Sequence, residues 1–177
     1  MNEILIVDGT EYQLYKPKDE TNDFHSMIKD NYKKIFGKKT LYFDIRKKLK
    51  SKSKIGSIPD AYVIDFKRNR WYVIEEELSS HPVYEHIVNQ LTRFLNGIKN
   101  YKSRNELREA IYKEIDEDEV LRNIVKNNIN SRDIHHALTK LINNQPEIIV
   151  IIEEKTIEVE EATETINPQP ILIELKT

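Results

Sequence analysis

Two short apolar runs, Ala61-Tyr62-Val63-Ile64 and Trp71-Tyr72-Val73-Ile74, flank the basic stretch Lys67-Arg68-Asn69-Arg70. Runs rich in β-branched and aromatic residues on either side of such a stretch predict two antiparallel strands and a tight turn. Upstream, Glu3–Val7 and Tyr12–Tyr15 flank Asp8-Gly9-Thr10, a hairpin signal. Phe24, Met27, Ile28, Tyr32, Ile35 and Phe36 recur at helical spacing. They predict a helix that starts at Glu20, is capped by Asp19 and stops at Gly37. Leu41–Ile45 reads as a strand. Val83, Ile87, Leu91, Phe94, Leu95 and Ile98 form one face of a helix entered through Pro82. Gln90 and His86 lie on the flank of that face, so Gln90 is expected to look inward and to need polar partners. Arg104–Ile115, Glu119–Lys126 and Arg132–Ile142 read as short helices. Glu147–Ile152 is an apolar run with one charged end, a buried strand. Thr156–Thr165 reads as a helix, and Ile171–Leu175 as a last strand beyond the break at Asn167-Pro168-Gln169-Pro170.

Strands interleaved with helices predict an α/β protein with a central mixed sheet flanked by helices. The 177 residues suit one domain, with its core at about 18–100 and 146–177 and a helical insertion at about 101–145. That insertion is the expected place for specificity or partner contacts. No apolar run approaches the roughly 20 residues of a bilayer span, so no membrane partner is expected. The start Met-Asn-Glu-Ile-Leu lacks the basic and apolar regions of a signal peptide. The chain has no cysteine, which excludes disulfides, thiolate metal sites and thiol catalysis. A cytoplasmic location is expected. There is no glycine-rich phosphate loop, which sets aside the common nucleotide-binding motifs.

Charge is unevenly spread. From Lys29 to Arg70 there are 14 Lys/Arg against 4 Asp, and from Glu147 onward 8 Glu against 2 Lys. A basic first half on a nearly neutral protein suits a polyanion, although a solvated lysine-rich surface has the same composition. The densest part holds Arg46, Lys47, Lys48, Lys50, Lys52 and Lys54. It shows no core periodicity and reads as a mobile loop hinged at Gly56. Such a loop is either a solvated surface or a grip on phosphates.

The candidate chemistry is acidic. A turn near Arg68-Asn69 sets the start of one strand beside the end of the other, and so Asp60 beside Glu75. Alternation puts Glu75 and Glu77 on the face of Val73, which is expected to be core, and Glu76 on the other. Carboxylates that converge on a half-buried strand repel one another unless a cation neutralises them. Oxygen ligands of this kind suit Mg²⁺ or Mn²⁺. Glu20 is placed either as a solvated first-turn residue or as a further metal ligand. The adjacent His135-His136 pair points to different faces of a helix and is a poor shared ligand.

The order of these features resembles the PD-(D/E)xK nuclease superfamily and its restriction-endonuclease-like core. Pro59-Asp60 is similar to the Pro-Asp of its motif and Glu75 to the following acid. Gln90-Leu91-Thr92-Arg93-Phe94 looks like the Gln-x-x-x-aromatic element of many members, and the helix with Glu20 looks like their first helix. The resemblance covers roughly residues 18–100. It implies a metal-dependent DNA endonuclease in which Asp60, Glu75, Glu77 and Gln90 are catalytic. Asp60, Glu75 and Glu20 would hold Mg²⁺ or Mn²⁺, Glu77 would act as base, and Gln90 would orient the water or a phosphate oxygen. Arg46, Lys47, Lys48, Lys50, Lys52 and Lys54 would grip the DNA backbone. Glu77 departs from the pattern, since the family usually has lysine there. The departure leaves open a catalytically degenerate module that binds nucleic acid or a protein partner. Two-strand cutting would suit a homodimer or a subunit of a larger defence or repair complex.

Overall fold

The structure is a computed structural model and describes residues 4–8, 10–13, 16–129 and 133–176. Strands β1 (Ile4–Val7) and β2 (Thr10–Gln13) pair antiparallel across the Asp8 turn. Glu3, Gly9, Leu14 and Tyr15 of the predicted hairpin, and Arg132 of a predicted helix, lie outside the described residues. Asp19 caps the first helical segment by accepting from the Asn22 amide at 2.5 Å. Widened turns over Glu20–His25 run straight into α1 (Ser26–Ile35).

The main sheet follows with β3 (Thr40–Phe43), β6 (Ala61–Asp65), β7 (Arg70–Glu77), β8 (Glu147–Ile152) and β9 (Ile171–Glu174). Between β3 and β6 lie the short strands β4 (Leu49–Lys50) and β5 (Gly56–Ser57). The sheet order is β3-β6-β7-β8-β9; the first two pairings are antiparallel and the last two parallel. This is the expected mixed sheet. The long apolar run of β8 reflects its place between two parallel neighbours, buried on both faces.

After β7 come widened turns over Tyr84–Val88, then α2 (Asn89–Ile98), α3 (Tyr101–Glu117), α4 (Glu119–Asn128), α5 (Ile134–Asn143) and, beyond β8, α6 (Ile157–Glu164). Helix α1 and its leading turns cover one face of the sheet, where Phe24 and Ile28 meet Ala61, Val63 and Ile74. The other face carries Tyr62, Ile64, Trp71 and Val73 against Ile87, Leu91 and Phe94. Leu107, Ile111 and Leu138 of α3 and α5 join the same cluster, so the segment at 101–145 shares the core of the sheet. Among the described residues, no helix is long and apolar enough to cross a membrane.

The basic stretch at 46–54 differs from the mobile loop expected of it. Leu49 is fully buried, and β4 pairs with β5 to form a small hairpin laid on α2. One apolar residue among lysines is too short a signal to register as periodicity, yet it anchors the segment. Gly56 is no hinge: a Cβ there would lie 1.8 Å from the Leu49 carbonyl oxygen. Gly97 on α2 admits the same leucine, since a Cβ there would lie 2.7 Å from the Leu49 Cβ. Both glycines are close-approach positions.

Candidate functional site

Three consecutive glutamates end β7, a central strand. Glu75, Glu76 and Glu77 are 2%, 1% and 2% exposed. Buried carboxylates carry a large desolvation cost unless paired, so their partners define the chemistry of this end of the sheet.

Glu75 stands where the hairpin register predicts. Ala61 pairs with Ile74, and the Asp60 amide donates to the Ile74 carbonyl at 3.1 Å, which sets Asp60 beside Glu75. Asp60 Oδ2 accepts from the Glu76 amide at 2.9 Å. Burial pushes the Asp60 carboxyl up to about 7, and the Glu76 and Glu20 charges add to the shift. Glu75 is held well above the usual carboxylate range, first by burial and then by Asp60 and Glu77. One Glu75 oxygen accepts from the Gln90 side-chain amide. The other, Oε2, is buried and has no hydrogen-bond partner among the described residues. An orphaned carboxylate oxygen among other carboxylates is what a cation ligand looks like.

Gln90 faces inward from α2 as its position on the helix predicts, but both ends of its amide are engaged. Its Nε2 donates to Glu75 and its Oε1 accepts from the Ser57 hydroxyl. It therefore holds the Glu75 carboxylate, which differs from the expected role of orienting a water or a phosphate oxygen. Ser57 belongs to β5, so a chain of two hydrogen bonds joins the basic hairpin to the acidic end of β7. Sequence reasoning passed over Ser57, because an isolated serine in a polar stretch gives no signal.

On the hairpin, Arg46, Lys48, Lys50, Lys52 and Lys54 are exposed, and Lys47 pairs with Glu106 at 3.4 Å. The Tyr62 hydroxyl donates to the Lys47 carbonyl at 2.7 Å, and the Lys50 amide donates to the Ser103 hydroxyl at 2.9 Å. Five of these six side chains are thus exposed on an anchored backbone that Ser57 and Gln90 link to Glu75.

Glu20 lies near enough for its charge to raise both Asp60 and Glu75, and its direct contacts are with His81 and Glu77. Its Oε2 lies 3.1 Å from His81 Nδ1, and it is hydrogen bonded to Glu77. Burial and the Glu77 charge raise its carboxyl. His81 also contacts Glu77 directly, which raises the imidazole above its ordinary value. Among the described residues, the trio with ligand atoms all within 4.8 Å of one another is Glu77, His81 and His86. In the sequence His86 lies on the helix flank, and His81 stands out only as a residue ahead of Pro82 at the helix start. A Glu-x-x-x-His pair that spans a strand end and a turn has no helical or strand period to mark it.

Glu76 faces the opposite side, as alternation predicts. There it accepts from the Tyr42 hydroxyl at 2.9 Å and meets His25 Nδ1 at 2.7 Å. That contact raises His25 to about 9, and Asp44, 3.3 Å from Nε2, adds to it. Lys29 completes the group at 2.8 Å from Asp44. His135 pairs with Glu109 at 3.0 Å, far along the chain from either glutamate group.

Among the described residues, no lysine or arginine forms an ion pair with Asp60, Glu75, Glu77 or Glu20; cations from the chain reach this acid group only as imidazole. No family model matches the chain, and comparison with curated proteins and with solved structures gives no match.

Proposed function

We propose that this protein is a metal-dependent endonuclease that hydrolyses phosphodiester bonds in DNA, with Mg²⁺ or Mn²⁺ as cofactor. The observation that carries the reading is Asp60 beside Glu75, with Glu75 Oε2 buried and unpartnered at the end of a central strand. Asp60 and Glu75 supply oxygen ligands of the kind such ions take. When bound, the ion supplies a lowered pKa for an attached water and neutralises charge on the phosphate. Gln90 fixes the Glu75 carboxylate, and Ser57 fixes Gln90. Glu77 accepts the proton of the attacking water, while His81 and Glu20 hold Glu77 in place. Arg46, Lys48, Lys50, Lys52 and Lys54 attract the DNA backbone without reading its sequence. The anchoring of their hairpin to Gln90 supports a shared surface for grip and chemistry.

A plasmid-nicking assay with Mg²⁺ or Mn²⁺ tests this. Wild type should nick, and Asp60→Ala and Glu75→Ala should each fall to background while still binding DNA. Nicking that survives both substitutions overturns the assignment.

The second reading is a degenerate nuclease-fold module that binds nucleic acid or a protein partner. One observation favours it: among the described residues no lysine pairs with this acid group, and Glu77 stands where the resembling family usually has that lysine. DNA binding without nicking under any divalent ion would select it.

A further inference from the structure

Glu77, His81 and His86 come from three successive pieces of chain. Glu77 is the last residue of β7. His81 sits in the turn that follows, where its amide donates to the Leu78 carbonyl at 3.0 Å. His86 lies in the widened turns ahead of α2. The two rings are 5.5 Å apart and tilted by 39°. Glu77 is buried, His81 half-buried and His86 exposed, so the trio runs from an exposed ring to a carboxylate at a buried floor.

Two facts indicate that this floor calls for positive charge. Glu77 and Glu20 are two carboxylates in contact, and His81 Nδ1 lies against both. Glu75, two residues earlier on the same strand face, keeps a buried oxygen with no hydrogen-bond partner among the described residues. Among the described residues, His81 is the imidazole in direct contact with Glu20 and Glu77, and the group also includes Glu75 and Asp60.

We propose that Glu77, His81 and His86 form a binding site for a divalent transition ion of the zinc and cobalt class, separate from the oxygen ligands Asp60 and Glu75. The donor chemistry decides the class. Imidazole nitrogens suit zinc, cobalt and nickel, whereas magnesium takes oxygen ligands and gives up water reluctantly. Tetrahedral ligand bonds of about 2.0–2.2 Å put donors about 3.3–3.6 Å apart. The trio, within 4.8 Å, closes by a movement of about 1 Å, and the exposed His86 ring is the member placed to make it. Glu20, 3.1 Å from His81, is placed to supply a fourth donor or to orient the imidazole. The site does not depend on the nuclease reading. If both hold, Glu77 serves as an ion ligand in place of the free base, and the ion brings positive charge to the position where the resembling family has lysine.

Cobalt(II) titration followed by visible absorption tests the site, because ligand-field bands report nitrogen coordination directly. Wild type should bind Co²⁺ with such bands, and Zn²⁺ should displace it while Mg²⁺ in large excess should not. His86→Ala removes an exposed ring and leaves the core intact. It should weaken Co²⁺ binding by at least the roughly 10- to 100-fold that even outer-shell partners contribute. His81→Ala should do the same, and its folding is checked by circular dichroism. The His135→Ala/His136→Ala double variant should keep the wild-type bands. Co²⁺ affinity unchanged in His86→Ala and in folded His81→Ala overturns the proposal, as does displacement by equimolar Mg²⁺. The two readings separate cleanly. Histidine-dependent bands without any nicking activity sink the nuclease alone, whereas nicking without such bands sinks this site alone.

Discussion

Asp60 is the residue at which burial and chemistry meet most directly. Its carboxyl is raised to about 7 from an ordinary 3.8, chiefly by burial. The folded chain thus binds this proton more tightly than the unfolded chain does. The resulting stability is fully present below the unfolded value and is lost as pH rises through about 7. Three units correspond to roughly 4 kcal/mol at most. In chelator, the melting temperature of wild type should fall between pH 4 and pH 8 relative to Asp60→Asn, which keeps an acceptor for the Glu76 amide and cannot ionise. Adding Mg²⁺ or Mn²⁺ at pH 8 should restore wild type and leave the variant alone. Parallel pH profiles for the two proteins would show that Asp60 ionises as freely in the fold as outside it.

The elements show why some of this was legible in the sequence and some was not. The β6–β7 pairing followed from two apolar runs and a basic turn, and it set Asp60 beside Glu75 before any coordinates. Gln90 followed from its place on a helical stripe. The β4–β5 hairpin left almost no trace, because its packing rests on one leucine and on glycines that admit it. Glu20 and His81 found each other through the widened turns, a local geometry that a 3.6-residue period does not anticipate. The hairpin's anchoring is itself testable. Gly97→Ala forces a methyl group against Leu49. Overpacking of this kind costs about 1–3 kcal/mol. The urea midpoint should drop accordingly with an unchanged slope, and an unmoved midpoint would mean that the hairpin is not clamped to α2.

At the scale of the whole molecule, position decides which of the many basic residues matter. The acid group occupies the end of β7, whereas Lys67, Arg68 and Arg70 crowd the turn at the opposite end of the β6–β7 hairpin, about 17 Å away along five residues of strand. Arg68 is further tied to Asp65 at 3.2 Å. The exposed lysines of the β4–β5 hairpin lie on the acidic side, through Ser57 and Gln90. If the proposed nuclease reading holds, a DNA strand held at Asp60 and Glu75 would meet the hairpin first. Removing one phosphate-neutralising cation flattens the slope of log K against log salt by about 0.9 for a duplex. Replacing Lys48, Lys50, Lys52 and Lys54 with alanine should weaken DNA binding and flatten that slope by several units. Replacing Lys67 and Arg68 should change it by less than one. Equal effects from the two sets would mean that the duplex is gathered by the net basic character of residues 29–70, with no preferred side of the sheet. The hairpin would then have no claim to be the surface that delivers DNA to the carboxylates.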